Sequence, residues 1–154
     1  MRLLVIALLL VACSRPTLAP TENEPIDRDT PEMRQEREDA LAYLAILEDP
    51  NGHLVIGSHC YFSGVQPRGR YAIDELVRLR RVDLLRKLIR VRSAEGRAYA
   101  AIGLWRLGSM SSEELRSFLS SITGNVKVCS GCMTEEVPAR QAISYYGDCE
   151  NLDL

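Results

Sequence analysis

The sequence predicts an all-α fold, a compact domain of short helical hairpins over residues 32–154. Three observations carry that expectation. Helix starts are written in capping residues at Thr30-Pro31-Glu32, Ser93-Ala94-Glu95 and Ser111-Ser112-Glu113-Glu114. Apolar residues after each start recur at three- and four-residue spacing, the period of a helix with one buried face. No strand-like run is long enough to build a sheet.

In the first helix Pro31 takes the first helical position behind Thr30, and Met33, Ala40, Leu41, Leu44 and Leu47 share a face. Asp49-Pro50-Asn51-Gly52 stops it. From there to Gly69 the glycines and Pro67 surround Leu54-Val55-Ile56 and Cys60-Tyr61-Phe62, which predicts an apolar-studded loop with short regular pieces at most. Tyr71 to Val91 reads as two helices, because Arg80-Arg81-Val82-Asp83 interrupts the apolar phase and Asp83 stands where a cap would. The helix opened by Ser93 buries Ala98, Tyr99, Ala101, Ile102 and Trp105 and ends at Gly108. Ser111 and Glu114 have the spacing of a capping box, with Leu115, Phe118, Leu119 and Ile122 as the following apolar face. Gly124-Asn125 then turns the chain into a short extended piece, Val126 to Cys129, and Pro138 opens a last helix with Ala142, Ile143 and Tyr146 inward and Gly147 beyond its end.

Ahead of the domain lies an address. Met1 and Arg2 precede an unbroken apolar run from Leu3 to Ala12, ten residues, half of the roughly 20 that a transmembrane helix needs. A basic start and a short apolar core have the proportions of a secretory signal over residues 1–12. Leu10-Val11-Ala12-Cys13 resembles the lipobox of bacterial lipoproteins. That resemblance implies cleavage before Cys13, lipidation of its thiol and delivery to the cell envelope. Ser14 stands where an Asp would signal inner-membrane retention, so the resemblance favours the periplasmic face of the outer membrane. Several acyl chains on one Cys anchor stably, where a single chain is marginal. Residues 13–31 carry four prolines and little that is apolar, the composition of an extended tether, which at about 3.1 Å per residue reaches some tens of ångströms from a bilayer.

The segment Ser93 to Gly108, SAEGRAYAAIGLWRLG, resembles the second-helix region of HEAT-type repeats. Gly69 to Ile143 is similar to small bacterial lipoproteins of unassigned function, which pair a helix carrying Arg97, Tyr99, Ala100, Gly103 and Leu104 with a later Cys-x-Gly-Cys-like segment. Two hairpins are visible, fewer than a solenoid of three or more repeats requires.

Of five cysteines, lipidation of Cys13 would leave Cys60, Cys129, Cys132 and Cys149. An even number outside the cytoplasm points to disulfides, and four cysteines permit three connectivities. Two other chemistries compete for the same side chains. Cys129-x-x-Cys132 has the spacing of half a zinc knuckle, to be completed by Cys60, Cys149 or His59, with His53 in the same loop. A thiol-redox role would need the same pair exposed, with a lowered thiol pKa at a helix N-terminus. The motifs G-x-S-x-G, H-E-x-x-H, G-x-G-x-x-G and G-x-x-x-x-G-K-[ST] do not occur, so no common catalytic signature recommends an enzyme and no cofactor is implied.

Charge is nearly balanced overall, at -2, and unevenly placed. Arg68 to Arg106 holds eleven basic and four acidic residues, net +7, between acidic flanks. A near-neutral total argues against nucleic acid as a partner. A basic helix face carrying Arg81, Arg90 and Arg92 is expected to offset the flanks or to dock an anionic envelope surface or protein. Together these readings predict a membrane-anchored, non-catalytic interaction module of the envelope. The alternative is an envelope metal-binding or thiol-redox protein using Cys129 and Cys132.

Overall fold

A computed structural model describes residues 30–49, 51, 53–60 and 64–147. The signal segment 1–12, Cys13, nearly all of the tether and Cys149 lie outside the described residues. The described chain is mostly helical, with one small antiparallel sheet, so the expectation of a sheet-free domain is corrected.

Helix α1 runs over Pro31–Leu47, capped by the Thr30 hydroxyl, which accepts from the Met33 N–H at 3.3 Å. Its expected apolar face is only partly buried. Ala40 and Leu47 are fully enclosed and Leu44 half so, whereas Met33 and Leu41 stay exposed. Helices α2 (Arg68–Arg78) and α3 (Val82–Leu88) are separated by the expected joint. There Arg80 takes a left-handed φ of 53°, its N–H bonds the Val77 carbonyl and the Arg81 N–H bonds that of Leu76, which makes a Schellman stop. Asp83 does not cap α3. Arg81 occupies the cap position and the Asp83 carboxylate turns to its guanidinium instead.

Helix α4 (Ala94–Arg106) is the centre of the domain. Ser93 caps it, accepting from the Gly96 N–H at 3.1 Å. Every residue from Ala98 to Leu104 is buried, because α2 and α3 cover one side and α5 (Ser112–Ser121) and the sheet cover the other. A helix enclosed all round needs small residues where neighbours come closest. A Cβ added at Gly103 would lie 2.8 Å from Ile73 Cδ1 of α2, so that crossing admits only glycine without a shift. Trp105 is half-buried at the end of the helix, with its indole N–H donating to Ser112 Oγ at 3.1 Å. Helix α5 carries the capping box in full: Ser111 Oγ accepts from the Glu114 N–H, and the Glu114 carboxylate accepts from the Ser111 N–H.

Strands β1 (Asn125–Ser130) and β2 (Met133–Pro138) form a hairpin in the register Val126↔Val137 and Cys129↔Thr134. Its loop is the pair Gly131-Cys132, with Gly131 at a φ of 56° in the first position, as a tight two-residue hairpin requires. On the free edge of β1 the loop before α2 runs alongside it. Ile56 donates to the Lys127 carbonyl and accepts from the Cys129 N–H at 2.8 and 2.9 Å. A 3-10 turn, Ala139–Gln141, leads into α6 (Ala142–Tyr146), whose Ala142, Ile143 and Tyr146 face inward as expected. No helix among the described residues is long and apolar enough to cross a membrane.

Candidate functional site

The three described cysteines meet at the hairpin. Cys60 is bonded to Cys129, across 69 residues of sequence and a Cα–Cα distance of 5.7 Å. That junction is prepared by backbone pairing, since Cys60 also bridges Gly131 in parallel register. Cys132 is an exposed free thiol at the hairpin tip. A local Cys129–Cys132 bridge is therefore not the pairing adopted, and the half-knuckle reading would need Cys60 and Cys129 as thiolates. Among the described residues no three of His, Cys, Asp and Glu converge as a metal would require. His59 is exposed, and the His53 imidazole lies 3.2 Å from the Asp49 carboxylate rather than beside a thiol.

A second constellation was not anticipated from the sequence. Asp74 of α2 sits where α2, α4 and α6 meet. Its Oδ2 accepts from Arg70 Nε at 2.9 Å and from the Gln66 amide at 2.7 Å. Its Oδ1 accepts from Arg106 and, at 3.0 Å, from the Tyr146 hydroxyl. Arg106 also donates to that hydroxyl at 2.7 Å. Arg70 is buried, donates to the Tyr146 carbonyl and places its guanidinium carbon 3.8 Å from the centre of the Tyr146 ring. Four donors fill the four acceptor positions of one carboxylate.

Burial pushes the Asp74 carboxyl up, but hydrogen bonds and charge from Arg106 and Arg70 outweigh it and hold the group below the ordinary carboxylate range. Burial, followed by the Asp74 charge, raises Tyr146, which stays a phenol at neutral pH. Tyr99 packs edge-on against Tyr146 and donates to the Val55 carbonyl at 2.6 Å, tying the cluster to the loop beside β1. So arranged, the group serves as an internal cross-link between elements far apart in sequence. Its local half, Arg70 and Asp74 at i and i+4, was visible as a helical ion pair; Arg106 and Tyr146 arrive from 32 and 72 residues away.

The basic stretch does not present a uniform face. Arg81 is half-buried and forks onto Asp83 through two hydrogen bonds of 2.9 and 2.7 Å. Arg78 is engaged by Glu75. Arg90 and Arg92 are exposed just past α3 and have no ion-pair partner among the described residues. Another carboxylate, the buried Glu95, is committed internally: it accepts from the Ser93 hydroxyl and from the Lys127 N–H, each at 3.1 Å, and so joins the start of α4 to β1. No family model, curated protein or solved structure matches this chain.

Proposed function

We propose that this chain is a lipid-anchored protein of the bacterial cell envelope, fixed through Cys13 at the periplasmic face of the outer membrane, whose domain acts as a non-catalytic interaction module. The Cys60–Cys129 bond carries the reading, because disulfides persist in oxidising compartments and are rare where glutathione keeps thiols reduced. The lipobox-like Leu10-Val11-Ala12-Cys13 supplies the anchor, and the proline-rich residues 13–31 supply the reach. We read the packing of α2 to α5 around a small-residue helix as HEAT-like. Of the three arginines expected to dock, Arg90 and Arg92, unlike Arg81, are available to an anionic envelope partner.

Fatty-acid labelling of the intact chain tests the anchor. Wild type should incorporate label and Cys13→Ser should not; equal labelling of the two ends the lipoprotein reading. The alternative, an envelope metal-binding or thiol-redox protein, rests on the exposed thiol of Cys132. Metal analysis and thiol counting on envelope-derived protein separate the two, since stoichiometric zinc with four reactive thiols favours the alternative.

A further inference from the structure

The two walls of a cleft between α5 and α6 repeat one pattern. Along α5 the chain reads Arg116-Ser117-Phe118-Leu119-Ser120, and through the 3-10 turn into α6 it reads Arg140-Gln141-Ala142-Ile143-Ser144. Each wall thus offers an arginine, an aliphatic residue three positions on and a serine four positions on, all directed to one side of a helical turn. The walls enclose a cavity of about 390 Å³, lined by both arginines, both serines, Leu119 and Ile143. That is the lower end of the range for small-molecule sites, about 300 to 1,000 Å³.

Its floor and rim differ in chemistry. Leu119 and Ile143 are buried members of the core, so the floor is apolar. Arg116 and Arg140 are exposed at the rim and have neither a hydrogen bond nor an ion pair among the described residues. Their convergence runs against the local charge, because Leu107 to Leu154 holds three basic and seven acidic residues. The two polar contacts inside the cleft leave the arginines untouched: the Ser144 hydroxyl donates to the Gln141 carbonyl at 2.7 Å, and the Tyr145 hydroxyl donates to Glu135 at 2.7 Å. Two unpaired guanidinium groups beside an apolar floor are complementary to a carboxylate-type head on an aliphatic body, since arginine grips such oxygens through paired N–H groups.

We propose that this cleft binds a small amphipathic anion, its head between Arg116 and Arg140 and its aliphatic body on Leu119 and Ile143. The proposal is independent of the anchor and of the disulfide. It is tested on the full-length chain with isotope-labelled leucine and isoleucine methyls, titrated with octanoate, 1-octanol and inorganic phosphate. Octanoate should shift the Leu119 and Ile143 methyl signals saturably, with 1-octanol and phosphate each weaker by about tenfold or more, because each lacks half of the recognition. Arg116→Gln or Arg140→Gln should weaken octanoate by about fivefold or more without changing 1-octanol, and Ser120→Trp, which fills the mouth, should abolish both. Equal affinity for octanoate and 1-octanol, phosphate binding as tightly as octanoate, or shifts confined to methyls elsewhere would each overturn it. So would the absence of any saturable shift.

Discussion

Arg70 and Arg92 carry the same side chain, 22 positions apart in one basic stretch, and they do opposite things. Arg70 is buried, shares a carboxylate with Arg106 and lies over an aromatic ring, so its charge is balanced inside the fold. Arg92, like Arg90, stands in solvent with no described partner. The net +7 counted along Arg68 to Arg106 is therefore unevenly carried. Asp74, Glu75 and Asp83, already subtracted in that total, are engaged by Arg70, Arg106, Arg78 and Arg81, which leaves Arg68, Arg80, Arg86, Lys87, Arg90 and Arg92 as exposed basic residues without an ion-pair partner among the described residues.

The contrast is broken most severely at Asp74. Asp74→Ala leaves the buried Arg70 and its neighbour Arg106 without their shared acceptor, and removing one partner of a buried pair costs about 3 to 5 kcal/mol. Because the Asp74 side chain keeps 26% of its exposure, a loss of about 2 to 4 kcal/mol in urea unfolding is the expected outcome. A loss below about 1 kcal/mol would mean the cluster is ornamental and both arginine populations are alike.

Acid should reach the same state reversibly. The Asp74 carboxyl is held below its unfolded value, so its contribution is complete above about pH 4 and disappears as pH falls through the folded value. The stability gap between wild type and Asp74→Ala should accordingly narrow below about pH 4, and a gap that stays constant down to pH ~2.5 contradicts the assignment.

Smaller effects sharpen the comparison at the exposed end. Arg80 holds a left-handed conformation at the end of α2, in the same stop motif that Gly108 completes after α4 at a φ of 66°. Arg80→Gly should relieve that strain and raise stability by about 0.5 kcal/mol, net of the flexibility glycine adds to the unfolded chain. A measurable destabilisation would show that the Arg80 side chain has a structural task. Reversing Arg90 and Arg92 to Glu should change stability by less than about 0.5 kcal/mol and leave the helical circular dichroism intact. Any salt-sensitive binding to envelope fractions should vanish with it; binding that persists would place the docking surface elsewhere.

What could be read from the sequence was local. Thr30, Ser93 and the Ser111–Glu114 box mark helix starts because each cap bonds an N–H only three residues away. The hairpin escaped for the opposite reason. β2 buries Val137 alone of its six residues, so Met133 to Pro138 shows no alternation, and the Gly131-Cys132 turn falls inside the spacing that suggested a metal knuckle. The disulfide partner of Cys129 lay 69 residues away, beyond any rule of spacing. The Arg116 and Arg140 walls are each readable as amphipathic turns, but their meeting across one cleft is a product of packing between α5 and the 3-10 turn that leads into α6.

The Cys60–Cys129 bond also makes the domain partly circular. Residues 60 to 129 form a closed covalent ring that takes in α2, α3, α4 and α5, while α1 and α6 lie outside it in the chain. A protease that nicks the exposed Gly108-Ser109 stretch severs the polypeptide without freeing either piece, so a denaturing gel run without reductant still shows one band. A nick between α1 and Cys60 instead gives α1 as a separate fragment on the same gel. Protection against fragmentation is thus assigned by topology to the four central helices and withheld from the segment nearest the tether.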